Sequence, residues 1–171
     1  KDVKKFNLLQ RQYMFLAKYD ITNVEQIKEV QQSIRNRVKL LQKAYSVISD
    51  EIGKKQKIFD AVAQIQEEKK AAIFYKMGDK TFEESARKVD EAKKVLADAG
   101  MTLEEAQKVK HHYTDLIEAN KQETKKLRKE INVGYKIIRE EKVREENRLI
   151  EQQRKQELDD QNKDKKYVKR K

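Results

Sequence analysis

VEQIKEVQQSIRNRVKLLQKAYSVISDEIGKKQKIFDAVAQIQEEKKAAIFY, residues 24–75, is the stretch that decides the fold. Its apolar residues fall at Val24, Ile27, Ile34, Val38, Leu41, Tyr45, Ile48 and Ile52, then at Phe59 and Val62, stepping mostly by threes and fours. That rhythm is a seven-residue repeat, and on an α-helix it draws one narrow apolar stripe. A helix over 24–75 would be a rod roughly 75 Å long at about 1.5 Å per residue. Such a rod cannot bury its stripe alone. The segment after Thr102 is the one other stretch of comparable length, so it is the expected partner.

Composition supports an all-α chain. Of 171 residues, 42% are charged and 37% hydrophobic, with a mean hydropathy of -1.05. Taken alone, those values border on the disordered range, but the periodicity argues for folded helices. Pro is absent and there are four Gly, so little in the sequence breaks a helix, and strand-type alternation is missing. There is no Cys, hence no disulfide framework and no thiolate metal site, which fits a reducing compartment. No uninterrupted apolar run is longer than Tyr13 to Ala17, too short for a membrane span, so a soluble, cytoplasmic protein is expected. The sequence opens on Lys1 rather than Met, which suggests a piece of a longer protein.

Taken in order, Val3 to Lys18 reads as a first helix, with Phe6, Leu9, Tyr13, Leu16 and Ala17 on one side. It should dock along the beginning of the second helix, which Thr22-Asn23-Val24-Glu25 opens as a capping box. Gly53 inside that helix costs about 1 kcal/mol relative to Ala, a soft spot but not a break. The pattern stops at Met77-Gly78-Asp79, and a second box, Thr81-Phe82-Glu83-Glu84, opens a third helix. Phe82, Ala86, Val89, Ala92, Val95 and Leu96 form its apolar face, and Gly100 closes it. A third box, Thr102-Leu103-Glu104-Glu105, begins the last helix. Its stripe runs through Ala106, Val109, Tyr113, Leu116, Ile117, Leu127, Ile131, Ile138 and Leu149, interrupted by Asn120 and Gly134. A polar residue in such a seam fixes register at some cost in stability.

Helices are therefore expected near 3–18, 24–75, 82–99 and 103–160, in one domain of residues 1–162 followed by a basic tail, 163–171. Sharp turns throughout would leave the fourth helix overshooting by roughly 30 residues with nothing to cover it. Laying the third helix across the end matches 24–75 against 103–153. The expected object is an elongated antiparallel coiled-coil hairpin of two long helices, with the short third helix at its tip and the first packed at its base. An intramolecular hairpin and an intermolecular pair use the same seam, so oligomerisation stays open.

Little in the sequence points to catalysis. His111 and His112 are adjacent on a helix and point about 100° apart, so they cannot share one ion, and Tyr113 reads as a seam residue. Asp115 lies four residues after His111, the spacing of an ordinary surface pair. The many carboxylates have basic neighbours at helical spacing, and a two-stranded rod offers no water-excluding pocket. The four glycines stand apart, so no phosphate-cradling loop is present. No catalytic residue, metal ligand or cofactor is expected.

The basic groups have the larger claim. Net charge is +11, with residues 1–75 carrying 15 basic and 9 acidic side chains and residues 163–171 carrying 6 and 1. Arg35, Arg37, Lys39 and Lys43, then Lys54, Lys55 and Lys57, then Lys69 and Lys70, recur along the second helix. Lys163, Lys165, Lys166, Lys169, Arg170 and Lys171 crowd the tail. Such residues suit phosphate contact, which is salt-dependent and carries no base specificity. The plain alternative is a solubilising surface. A nucleic acid is the favoured partner over a membrane, since no strongly apolar face accompanies the charge.

The layout also resembles a known family. Phe6-Asn7-Leu8-Leu9 with Phe15-Leu16 lies in the opening helix, and the long stripe ends in Lys70-Ala71-Ala72-Ile73-Phe74-Tyr75. The third helix ends near Leu96-Ala97-Asp98-Ala99-Gly100-Met101, and Leu103-Glu104-Glu105-Ala106 leads to Tyr113-Leu116-Ile117. This order resembles the helical region that follows the nuclease domain in relaxases of bacterial conjugation and plasmid mobilisation. Relaxases nick one DNA strand with a Tyr nucleophile and a metal held by strand-borne His residues, two of them flanking an apolar residue. This sequence has neither the strands nor that His spacing, so none of its tyrosines inherits the role. The resemblance implies an accessory part that holds DNA beside the nuclease or meets a relaxosome or transfer-machinery protein. The alternative is an oligomerisation or partner-docking scaffold with no nucleic-acid role.

Overall fold

A computed structural model describes residues 2–168, with side chains as far as Leu158. Every regular element among them is helical: α1 (Asp2–Lys18), α2 (Val24–Lys54), α3 (Gln56–Lys76), a single 3-10 turn (Lys80–Phe82), α4 (Glu83–Asp98) and α5 (Leu103–Val168). Among the described residues no helix is long and apolar enough to cross a membrane.

The long second helix is two helices. Lys55 leaves the helical region (φ -101°, ψ 4°), and its N–H donates to Ile52 O at 3.0 Å, one residue short of α-helical spacing. A Cβ on Gly53 would meet nothing within 4 Å, so no neighbour demands glycine there. Its effect is on propensity: the weak helix former lets the ladder slip two residues later.

Two of the expected caps sit on other residues. Asn23, not Thr22, caps α2: Gln26 N–H donates to Asn23 Oδ1 (2.9 Å), and Gln26 Oε1 accepts from Thr22 N–H (2.7 Å). Asn caps at least as well as Thr, and Glu25 turns instead to Lys28 at 2.6 Å. Asp79, not Thr81, opens the 3-10 turn by accepting from Thr81 N–H (3.0 Å), while Glu84 takes up Arg87 at 2.7 Å. The Thr102 box forms as read. Thr102 N–H donates to Glu105 (2.8 Å) and Glu105 N–H donates to Thr102 Oγ1 (3.2 Å). Gly78 (φ 105°) and Gly100 (φ 65°) are the left-handed residues after α3 and α4.

The chain divides into two compact units, one reaching Arg37 and resuming at Lys126, the other spanning Val38–Lys125. In the first, Phe15, Ile27, Ile34 and Ile137 are buried, together with two glutamines, Gln12 and Gln31. The expected face of α1 points the other way, since Phe6 and Tyr13 are 67% and 73% exposed. Besides the buried Phe15, polar contacts hold α1. Gln12 Nε2 donates to Glu140 (3.0 Å), Lys18 Nζ to Glu130 (2.8 Å) and Tyr19 OH to Glu130 (2.5 Å). The seam on α5 also stops early. Ile137 is the buried position in place of the expected Ile138, and every described side chain after Glu141 is exposed, Leu149 included. The reason is that α2 starts at Val24, which lines one groove with Ile137 and Glu141, so no α2 residue remains to cover the later turns of α5.

The second unit corrects the position of the third helix. Helix α4 lies along α3, not across its end: Ala86 and Val89 pack on Ala72, while Ala92 and Leu96 pack on Ala61, Val62 and Ile65. The two helices are thus antiparallel. Ala106 of α5 joins the same core, Lys110 Nζ reaches Phe59 O (3.4 Å), and the Phe59 and Tyr113 rings lie 6.1 Å apart. Helix α5 therefore also runs against α3, so the link at Gly100 sidesteps the chain without reversing it. The apolar stripe beyond Val62 is covered by α4 because α5 begins too late to cover it.

Candidate nucleic-acid interface

The fold re-sorts the charge. The unit formed by residues 1–37 and 126–171 has 24 basic and 14 acidic side chains, a net of +10, whereas residues 38–125 have 17 and 16, a net of +1. Nearly all the positive excess therefore belongs to one unit.

Several candidate cations are already engaged. Lys54 and Lys55 lie 2.6 and 3.5 Å from Glu51, which is held below the ordinary carboxylate value chiefly by the Lys54 hydrogen bond. Lys55 also sits 5.8 Å from the Tyr113 ring. Both pairs tie the end of α2 to itself and to Lys55, the residue between α2 and α3. Lys39, Lys43, Lys57, Lys69 and Lys70 are exposed in the near-neutral unit, and Arg37 is exposed in the basic one. Arg35 rests on Tyr135 of α5, its guanidinium carbon 5.5 Å from the ring centroid and one nitrogen donating to the phenol oxygen. In the tail, Lys163, Lys165 and Lys166 belong to the last turns of α5 but their side chains fall outside the described residues, as do Lys169, Arg170 and Lys171 altogether.

Sequence reasoning missed the strongest basic face. On α5, Arg128, Lys129, Lys136 and Arg139 are all exposed, and among the described residues none of them forms an ion pair. Spacings of three, four and seven put them, with Asn132 and Tyr135, on one side of the helix. Glu130, the one carboxylate between Lys126 and Arg139, is turned away and bound by Lys18 and Tyr19. Partial burial pushes Glu130 up, but those two hydrogen bonds outweigh it and hold the carboxyl below its ordinary value. Glu140, four residues after Lys136, accepts from Gln12 instead. An open groove between α1 and α5, floored by Leu8 and Val143, is rimmed by Lys136, Arg139 and Arg144.

The next turns of α5 differ. Arg144 pairs with Glu141 (2.6 Å), Arg148 with Glu145 (2.8 Å) and Lys142 with Glu146 (3.9 Å), so that segment neutralises itself. A signal for this contrast was present in the sequence. Arg128, Lys129 and Arg139 have no acidic residue three or four positions away.

His111 and His112 are exposed, and His112 lies edge-on to Tyr113 at 5.7 Å. Among the described residues no group of three or more His, Cys, Asp or Glu side chains is placed to hold a metal.

No protein-family model, curated protein or solved structure matches the chain. The relaxase resemblance thus rests on the residues quoted for it.

Proposed function

We propose that this chain is a non-catalytic helical accessory region of a DNA-mobilisation relaxase that holds the phosphate backbone of DNA without reading its bases. The observation that carries the DNA contact is the unneutralised face Arg128–Lys129–Lys136–Arg139, in the unit that holds almost all the net charge. Lys and Arg side chains with no intramolecular carboxylate partner are free to exchange counterions for phosphates, which makes affinity steeply salt-dependent. Contacts from Lys and Arg to phosphate carry no base information, so the contact proposed is sequence-independent. Under the same reading the long helices pair as an antiparallel coiled-coil hairpin and the protein works in the cytoplasm beside the transfer machinery.

The test is fluorescence anisotropy of labelled single- and double-stranded DNA across a salt series. Replacing Arg128, Lys129, Lys136 and Arg139 together by Gln should weaken binding and lower the log–log salt slope on duplex by about 3 to 4. Salt-insensitive binding, or an unaltered slope in the variant, would count against the DNA reading.

A second reading, a partner-docking or oligomerisation scaffold, is favoured by the outward apolar face of α1, where Val3, Phe6 and Tyr13 are exposed. Light scattering that shows a defined dimer, dissolved by Phe6→Ser with Tyr13→Ser, would favour it.

A further inference from the structure

Helix α3 outruns α5. Around Val62 three helices share one core, with α4 supplying Ala92 and Leu96 and α5 supplying Ala106. Further along α3 the core thins to Ala72 against Ala86 and Val89, with Tyr75 beside them, because α5 begins only at Leu103. The place of a third helix is vacant there. It forms an apolar groove of about 240 Å³, with Ala72 and Ile73 on the α3 wall, Ala86 and Val89 on the α4 wall, and Leu103 closing one end.

The rim of this groove is basic. Lys69 and Lys76 stand seven residues apart along the α3 edge and Lys93 stands on the α4 edge, against one acid, Asp90. All three lysines are exposed, and none pairs with a carboxylate among the described residues. Their neighbours do pair: Lys88 lies 3.3 Å from Glu68, and Arg87 reaches both Glu84 and Glu91. Three unpaired ammonium groups around an alanine- and valine-floored trough leave both an apolar face and a charge demand unmet.

We propose that this groove docks an acidic amphipathic helix of a partner protein, laid where α5 lies further down α3. The helix itself is the argued occupant because α5 fills the equivalent position on the same two helices, and the short side chains of Ala72 and Ala86 admit a close backbone. From Ile65 to Lys76 the trough is about 16 Å long, so about three turns fit. An apolar residue every three or four positions meets the floor, and carboxylates flanking that stripe meet the lysines. This surface is separate from the basic face of α5 and does not depend on DNA contact.

The probes are two synthetic amphipathic peptides of about four turns, each with one leucine stripe, flanked by Glu in one and by Lys in the other, added to the whole chain. The Glu peptide should bind saturably and about tenfold or more tighter than the Lys peptide, with amide shifts confined to the segments 65–76 and 86–93. Lys69→Glu with Lys76→Glu and Lys93→Glu should reverse that preference. Ile73→Asp, at an edge position 49% exposed, should abolish binding while circular dichroism stays unchanged. Equal binding of both peptides, absence of saturation, or shifts mapping to α1 would overturn the proposal. So would sedimentation showing that Ile73→Asp converts a dimer of this chain to a monomer, since the groove would then be occupied by a second copy.

Discussion

Gln31 occupies the space that a side chain at Gly134 would need. The glutamine is 2% exposed and its Nε2 donates to Ile131 O at 2.8 Å, while a Cβ built on Gly134 would lie 2.8 Å from that nitrogen and 3.2 Å from Cγ. Gly134→Ala sets two effects against each other. Better helix propensity favours alanine by about 1 kcal/mol, whereas overpacking a buried neighbour that is hydrogen-bonded costs about 1–3 kcal/mol. The amide cannot swing away without leaving its carbonyl, so the clash is expected to win by about 1 kcal/mol. Urea unfolding should show this loss, and Gln31→Ala added to Gly134→Ala should recover part of it.

Asn120 plays a similar part in the other unit, donating to Leu41 O at 2.9 Å. An amide on one helix that bonds a main-chain oxygen on another fixes their register, and replacing it with Leu removes that restraint while burying more apolar area. Asn120→Leu should raise the Tm and broaden the distribution of species in sedimentation velocity. A single sharp species with a lowered Tm would show that Asn120 stabilises without specifying.

What could be read from the sequence was whatever depends on a few adjacent residues. The Thr102 box and the glycine stops at Gly78 and Gly100 are local chemistry and stand where they were placed. Asn23, one residue on, takes the cap of α2 from Thr22, whereas Asp79 binds the N–H of Thr81 itself and α4, with Phe82 at its N-cap, starts without a side-chain cap. The position of α4 was illegible: Ala86, Val89, Ala92 and Leu96 say that a face is buried but not against what. Gln31 went unseen because a hydrophobic pattern does not register a buried amide. The basic face of α5 does not stand out as a run along the chain, and only the folded arrangement shows that Glu130 and Glu140 turn to Tyr19 and to α1.

The Glu130 cluster predicts a pH dependence with definite sign. Glu130 is lowered below its ordinary value, so its share of stability is present above the unfolded carboxylate range and is lost as pH falls through the folded value. Lys18 is raised chiefly by its bond to Glu130, and Tyr19 is raised by burial and then by the same carboxylate, so both contributions disappear as pH rises through their folded values. Glu130→Gln should lower stability by about 1 kcal/mol at neutral pH, since Lys18 is half exposed, and by much less near pH 3. Urea midpoints at the two pH values measure the difference.

The division of cations into paired and unpaired gives the sharpest forecast for binding. Lys54 and Lys55 are held by Glu51, so freeing them for a phosphate means giving up an existing partner, and the gain is small. Lys136 and Arg139 have no such partner among the described residues. Single alanine substitutions at Lys136 and Arg139 should each lower the salt slope of DNA binding by about 1 and weaken it equally for unrelated sequences. Lys54→Ala and Lys55→Ala should leave affinity and slope unchanged but loosen the last turn of α2, which amide hydrogen exchange near Ile52 would report. If the Lys54 and Lys55 variants instead carried the larger loss, intramolecular pairing would not be the rule that sorts contact from decoration on this surface.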